Sequence, residues 1–577
     1  MQADRLLFIG CFVYQLLYVC WGLEFSDTGF NATFFQQFFE DPASVQYNFP
    51  YWLTGAVGGL WLLMFADLGI LGIRLLGALV FTGTLMLIHS LLKPRLGGRH
   101  LRLGLASVAL LLGPTTAFSG LEYNLLTSLL FALASLLIVR GVTQPRKAAL
   151  FAAGVVLGLN VFARFPNVVG IAMVLPAMYF GWLMRRDRRE VVISAGLIVG
   201  GFVSAILSIL VLMTAMGHLE LYVGSLRLLT SLAASGQSHG VWSMVKTLSD
   251  QYLTVAEVLV VSVVFLWIYA ALAAKSQYFS QAVLAAATVL LLALMYVRDD
   301  FLTVSLMYLY IGLVALVSAQ ALLDRATHPE VKLLFVIALM QVGLSPLGSN
   351  FGFINQGAFA FVIGLPASIA YVLTRESYDL LPSRCRALAG NAASRARAKQ
   401  SLMVAGMTLS VLLGWTFTYC EARWKHRLVH PIHSPLTQFV FSSRERAAVV
   451  NELLAESAKY VSRGDYVLAY DEMPMFYYLT HTRPYLYGLW PRAVDDELFR
   501  GTLERSLAEK GVLPVVVRQK VSTWGNWPAE VPSGYHDRTT GKDAYLREFQ
   551  ERHAYRLAWE NGAFQIWVTA ASLRAFP

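Results

Sequence analysis

Residues Glu24–Trp52 read EFSDTGFNATFFQQFFEDPASVQYNFPYW, and no lysine or arginine occurs from Glu24 through Asp67. The stretch follows a first hydrophobic segment, Leu6–Trp21, and carries the acids Glu24, Asp27, Glu40 and Asp41 among closely spaced aromatic rings. A helix that crosses a bilayer needs about 17–25 mostly apolar residues, and runs of that kind recur from here to Cys420. Loops that stay inside carry the lysines and arginines. An acidic loop without a base, set directly after the first span, is therefore predicted to lie outside, with the N-terminus inside.

Composition supports the same class. Hydrophobic residues make up 56% of the 577-residue chain and the mean hydropathy is +0.54, well above a soluble average. The net charge of +10 could signal a nucleic-acid partner. Its distribution points instead to topology, because the basic residues cluster in short loops. The four cysteines, Cys11, Cys20, Cys385 and Cys420, form no CxxC spacing, so neither a disulfide framework nor a zinc site is indicated. Leu6–Trp21 lacks a small-residue cleavage site and reads as a retained anchor rather than a signal peptide.

Working outward, Tyr51–Leu92 is too long for one span and rather short for two. Tyr51–Ala66 is predicted to be an interfacial helix on the outer surface, with Trp52 and Trp61 at headgroup level. Spans are then expected near Ile70–Leu92, Leu103–Phe118, Leu125–Val139, Ala148–Arg164, Val168–Met184 and Val191–Met216. Others are expected near Val255–Ala273, Gln281–Val297, Leu302–Leu322, Val331–Leu347, Ala358–Leu373 and Ser401–Tyr419, about 13 in all with the first. This parity puts Arg146–Lys147, Arg185–Arg189 and Arg375–Lys399 inside. It puts Glu122, His218–Tyr252, Arg298–Asp300 and Asn350–Gln356 outside.

The expected organisation is an all-α membrane domain over residues 1–419 and an extracytoplasmic α/β domain over 420–577. In the latter, Ser442-x-x-Glu445 resembles a capping box for a helix ended by Gly464. Val467–Ala469 and Val512–Val517 read as buried strands. Tyr555–Trp559 and Ala563–Val568 flank Asn561-Gly562, the usual two-residue type I′ hairpin turn.

Two outer acids are candidates for chemistry. Asp27 sits about one helical turn past the first span, where a carboxylate near a bilayer calls for a functional reading against the plain one of a solvated loop acid or helix cap. Glu122, in the short connection Ser119-Gly120-Leu121-Glu122-Tyr123-Asn124, could simply cap the next helix, as could Asn124. Paired with Asp27 on one side of the membrane, it becomes a second site acid. Arg164 before Phe165-Pro166 runs against the outer charge bias; snorkelling to lipid headgroups is the plain alternative to a site role. Arg298 beside Asp299 and Asp300 poses the same choice, and Arg74 suggests a loop-acid partner. His218 and His239 are a weak metal signal.

These residues resemble a known pattern. The loop acid after the first span, the Tyr51-Trp52-Leu53-Thr54 helix start, Arg74-Leu75, the basic turn after Leu92 and Arg164-Phe165-Pro166 occur in the order found in lipid-linked-sugar glycosyltransferases of the GT-C fold. The similarity is greatest to bacterial relatives of the protein O-mannosyltransferases and the lipid A aminoarabinose transferase. It is closest over the first third of the chain.

The resemblance implies a polyprenyl-phosphate sugar as donor and a lipid, glycan or protein acceptor approaching from outside. It also implies Asp27 as the base and Glu122 as a nearby site acid. Arg164, Arg298 and Arg227 are then the candidates for the departing lipid phosphate, with Tyr51 and Asn124 as further substrate contacts. Thr28 stands where many relatives carry a second acid, and Val45–Pro50 lacks their lysine. Asp27 and Glu122 leave room for a divalent cation without requiring one. Competing readings are an oligosaccharide ligase or polymerase of the same build, and a lipid-sugar transporter. The outer-face charges and the lack of a visible repeat speak against transport.

Overall fold

The computed structural model describes residues 2–115, 120–234, 241–276, 282–283, 286–287, 301–349, 352–353, 360–374, 392–422, 424–491, 494–523, 525, 527–528 and 541–569. The chain is mostly helical up to Thr416 and continues as an α/β unit. In order, the first helices are α1 (Gln2–Leu16), α2 (Asp27–Glu40), α3 (Trp52–Met64), α4 (Gly69–Leu96), α5 (Arg99–Thr115), α6 (Tyr123–Thr143) and α7 (Lys147–Ala163). A 3₁₀ stretch, Phe165–Met173, opens on Pro166 and leads into α8 (Val174–Leu183); α9 (Arg188–Ala215), α10 (Leu219–Ala234) and α11 (Val241–Lys275) follow. The helical part closes with α12 (Phe301–Leu323), α13 (Pro329–Leu344), α14 (Gly364–Thr374) and α15 (Ala392–Thr416).

Among the described residues, Ala66–Leu96, Tyr123–Thr143, Phe165–Leu183 and Arg188–Ala215 are long and apolar enough to cross a membrane. On α9, Val192, Val199, Val203, Leu207 and Val211 form one exposed apolar face. Such a stripe is at home against lipid tails rather than water. The chain is accordingly an integral membrane protein. The span expected at Gln281–Val297 lies almost wholly outside the described residues.

Helices approach closely where glycines allow it. A Cβ on Gly154 of α7 would lie 1.9 Å from the Ile198 carbonyl oxygen of α9, and one on Gly201 would lie 2.1 Å from that of Phe151. Small residues at such a seam let backbones touch, which replaces the hydrophobic drive that lipid cannot supply.

The stretch between α1 and α3 is not an open loop. Asp27–Glu40 is helical, and Pro42–Tyr51 is a run of 3₁₀ turns. Phe34, Phe35 and Phe38 are buried and pack on α3 at Gly55 and Gly58. The side of α3 carrying Leu60, Leu63 and Met64 is exposed. Among the described residues Arg74 forms no ion pair with a loop acid; its guanidinium donates to the carbonyls of Val19 (2.6 Å) and Gly22 (2.6 Å), closing the chain after α1.

The α/β unit holds β1 (His430–Pro431), β2 (Phe441–Ser442), α16 (Arg444–Ser457), β3 (Tyr466–Tyr470), α17 (Met475–Thr480), β4 (Arg483–Pro484) and α18 (Asp496–Lys510). It ends with β5 (Val515–Gln519), α19 (Lys542–Arg552), β6 (Tyr555–Glu560) and β7 (Phe564–Thr569). The main sheet has the order β4-β3-β5-β7-β6, parallel from β4 to β5 and antiparallel beyond. On one face Leu468 and Val516 pack with Phe499, Leu503, Leu546 and Phe549 from α18 and α19. The other face belongs to the same core as the membrane part: Phe25 meets Phe564 and Trp527 with ring centroids 6.2 and 5.2 Å apart.

Three local expectations change here. The α16 cap is Ser443, whose hydroxyl accepts from Arg446 N–H, so the start lies one residue later than the capping-box reading. The helix stops at Ser457, and Gly464 instead turns the chain into β3 with φ +84°. At the hairpin, Asn561 N–H donates to the Phe564 carbonyl and its side-chain oxygen accepts from Ala563 and Phe564 N–H. Neither Asn561 nor Gly562 has the positive φ a type I′ turn needs; the asparagine side chain closes the turn.

Candidate functional site

The site begins with how α2 is capped. Four N–H groups at a helix start lack partners within the helix. Ser26 is the N-cap residue but its side chain makes no cap bond. Glu24 takes that part, its two oxygens accepting N–H from Ser26 and Thr28, each at 2.5 Å. Negative charge at a helix N-terminus is favoured by the helix dipole. Asp27, the first residue of α2, is thereby left out of its own helix's capping. Its Oδ2 accepts from the Tyr419 hydroxyl at 2.7 Å, beyond the end of α15. Oδ1 has no hydrogen-bond partner among the described residues.

Asp27 is buried, at 7% exposure, and so are Glu24 and Glu122. Burial pushes the Asp27 carboxyl well above the ordinary carboxylate range. The charges of Glu24, Glu122 and Glu472 push the same way, and the Tyr419 bond opposes them. Glu122 is the N-cap of α6 and accepts Asn124 N–H and Leu125 N–H, both at 2.9 Å. Burial outweighs those bonds and pushes Glu122 up to about 7. Glu122 is thus the cap of α6, and its charge also acts on Asp27.

Aromatic rings line the space between these acids. Tyr51 and Tyr123 stack with centroids 4.3 Å apart, Phe30 meets Tyr51 edge-on at 6.0 Å, and Phe30 stacks on Trp490 at 4.3 Å. Burial also raises the Tyr51 hydroxyl above its usual range.

The α/β unit is part of this site. The chain leaving β3 brings Glu472 to the acids, its N–H held by Gln519 Oε1 at 3.1 Å. Met475 N–H donates to the Phe25 carbonyl at 3.0 Å, and Thr33 donates to the Pro474 carbonyl at 2.8 Å. Gly29 permits this seating, since a Cβ there would lie 2.1 Å from Met475 N.

The structure sorts the other expected residues. Arg164 does not snorkel: it is 3% exposed and donates to the carbonyls of Ser345 (3.0 Å) and Leu347 (2.7 Å). Its charge is felt by Glu122 and Tyr51, so it belongs to the wall of the site. Asn124 is buried and serves Glu122. Arg227 lies exposed on α10, unlike the buried acids, and Arg298 lies outside the described residues. His218 is boxed by Phe38, Phe49 and Trp52, with the indole N–H donating to Nδ1 at 3.2 Å.

Among the described residues no group of three or more His, Cys, Asp or Glu side chains is arranged to hold a metal ion. Each oxygen of Glu24 and Glu122 accepts a backbone N–H. Sequence reading missed Glu24 as a cap, although its contacts with Ser26 and Thr28 are local, and missed Tyr419 and Glu472 as site residues. Nothing in the local sequence marks Tyr419 and Glu472, because they reach Asp27 from far along the chain.

No protein-family model matches the chain, and no curated protein matches it. Among solved structures it is similar to the Archaeoglobus fulgidus oligosaccharyltransferase in complex with Zn and sulfate. That likeness has 12% identity over 96% of this chain and 79% of the other, with a TM-score of 0.48. It is also similar to ArnT from Cupriavidus metallidurans bound to undecaprenyl phosphate, with 11% identity over 99% of both chains and a TM-score of 0.49.

Proposed function

We propose that this chain is an integral-membrane glycosyltransferase of the GT-C kind. It moves a sugar from a polyprenyl-phosphate donor to a hydroxyl-bearing acceptor on the outer face of the cytoplasmic membrane. The observation that carries this reading is the state of Asp27: buried, elevated in pKa, held at Oδ2 by Tyr419 and with no hydrogen bond at Oδ1 among the described residues.

The chemistry follows from that state. The acceptor oxygen forms its bond to the anomeric carbon as the bond from that carbon to the phosphate oxygen breaks. The electron pair leaves with the polyprenyl phosphate, and the acceptor's proton passes to Asp27 Oδ1. One displacement inverts the anomeric centre. A carboxylate raised toward neutrality is a stronger base than a solvated one and still ionised for part of the time. The negative charge gained by the phosphate calls for a cation at the membrane surface. Arg164 is the described candidate, although two of its nitrogens already serve backbone carbonyls.

The α/β unit supplies the lid over the acids and, in this reading, the surface that meets the acceptor. The test is incubation of the purified chain with radiolabelled undecaprenyl-phosphate sugars and cell-envelope extract. Label should pass to an acceptor in the wild type and not in Asp27→Asn. Substantial transfer by the variant would remove Asp27 as the base.

A further inference from the structure

Tyr419 and Asp27 come from opposite ends of the helical part, yet their side chains meet at 2.7 Å. Something must hold both backbones, and the structure places one side chain between them. Arg446, on α16 of the α/β unit, has a side chain with no exposed surface. Its Nη1 donates to the carbonyls of Leu23 (3.2 Å) and Cys420 (2.6 Å). Nε donates to the Trp527 carbonyl at 3.2 Å, and Nη2 to those of Gly525 and Trp527, both at 3.1 Å. The guanidinium also lies over the Trp527 ring, 4.3 Å from its centroid.

Its counter-charge is Glu421, 3.3 Å away and equally buried. Glu421 Oε2 in turn accepts Leu23 N–H at 3.2 Å and the Ser442 hydroxyl at 2.5 Å. Leu23 is thus gripped at both its N–H and its carbonyl, one residue before the acid that caps α2. On the other side, Cys420 follows Tyr419 directly and has φ +47°, in the left-handed region. That conformation is unfavourable for a residue with a Cβ and persists where the surroundings enforce it. The bond from Arg446 to the Cys420 carbonyl is such an enforcement.

We propose that Arg446 is a positioning residue for the base. It clamps the chain at Leu23 and at Cys420, so that the Tyr419 hydroxyl is presented to one oxygen of Asp27 and the other is left to receive the acceptor's proton. The inference rests on Asp27 being the base. It assigns the α/β unit a part in organising the chemistry as well as covering it. Only arginine fits the task, because a planar fork of five N–H donors reaches four carbonyl groups that a lysine's single nitrogen cannot span.

The charged and titratable groups facing Asp27 include Glu24 ahead of α2, Tyr51 before α3, Glu122 and Tyr123 at the start of α6, Tyr419 and Cys420 after α15, and Glu472 after β3. Glu24, Glu122 and Glu472 oppose the ionised carboxylate, and the Tyr419 hydroxyl favours it. Loss or misplacement of that hydroxyl therefore moves the Asp27 titration to higher pH.

The experiment is a pH titration of the Asp27 carboxylic-acid stretch by infrared difference spectroscopy on the purified full chain, the band assigned by its absence in Asp27→Asn. Tyr419→Phe should raise the midpoint by about one pH unit, a tenfold change in the ionised fraction below it. Arg446→Lys should raise it in the same direction by a smaller amount. The double variant should match Tyr419→Phe, because both substitutions act through one bond. An unmoved midpoint in Arg446→Lys, or shifts that simply add, would overturn the proposal. If Arg446→Lys does not fold, Tyr419→Phe decides alone: an unmoved midpoint there removes the bond on which the positioning depends. The titration needs no substrate, so its outcome is separate from the transfer assay on Asp27→Asn, which tests the base itself.

Discussion

Two helix starts beside the candidate site, those of α2 and α6, each carry a buried acid, and they use it in opposite ways. At α6, Glu122 spends both oxygens on its own helix, accepting Asn124 and Leu125 N–H. At α2, the capping bonds go to Glu24, three residues earlier, and Asp27 is left with one bond from a distant tyrosine. Both acids are buried and both are raised in pKa. The difference is what remains for chemistry. A carboxylate committed to a cap has both oxygens engaged by its own helix, whereas one spared from capping keeps an oxygen for a substrate proton. The second acid in the Glu24-x-x-Asp27 turn is what frees Asp27.

Breaking this comparison at its strong end gives the largest effect. Asp27→Asn should lower transfer by at least about 10³-fold, the upper range of general-base contributions, with thermal unfolding in detergent near wild type. If stability falls along with activity, Asp27 is a structural acid after all. Next is Glu24→Ala, which removes the cap while leaving Asp27 in place. The vacated N–H groups should draw the Asp27 carboxylate onto its own helix, and a displacement of about 1 Å costs on the order of 10²-fold in rate. Transfer kinetics and the infrared titration of Asp27, whose midpoint should drop as it gains N–H bonds, check this together.

Glu122 should behave conversely. Glu122→Ala is expected to cost about 0.5–2 kcal/mol of stability, as cap removals do, read from the unfolding midpoint, with a smaller loss of transfer than either change at α2. The smallest effect is a pH dependence. The Glu122 carboxyl is raised from 4.5 to about 7 in the folded chain. Its neutral form is therefore favoured by folding. The associated stability is full below the unfolded value and is lost as pH rises through about 7. Across that window wild-type unfolding temperature should fall relative to Glu122→Gln, which cannot titrate.

Much of the helical plan was legible. Hydrophobic runs announced α4, α6 and α9, and Pro166 announced the break before α8, because both signals are local. The hairpin after Tyr555 was legible as a hairpin but not as a turn type, since Asn561 closes it with its side chain. Arg164 was misjudged between lipid and site, because its partners, the Ser345 and Leu347 carbonyls, lie some 180 residues away and carbonyls leave no mark in a sequence. Nothing in the local sequence marks Arg446; its burial depends on the α/β unit docking against Leu23 and Cys420.

The sequence by itself determined a membrane-embedded helical chain with a folded α/β tail and an acid of interest at Asp27. Span length, basic loops and strand patterning are properties of neighbouring residues, and each survives any arrangement of the rest. Tertiary structure alone decided that the stretch from Asp27 to Tyr51 is folded rather than a loop and that Asp27 is held from across the molecule. The physical reason is common to both. A buried carboxylate takes its character from how many donors reach it and how much water is excluded, and both are set by chain segments that only folding brings together.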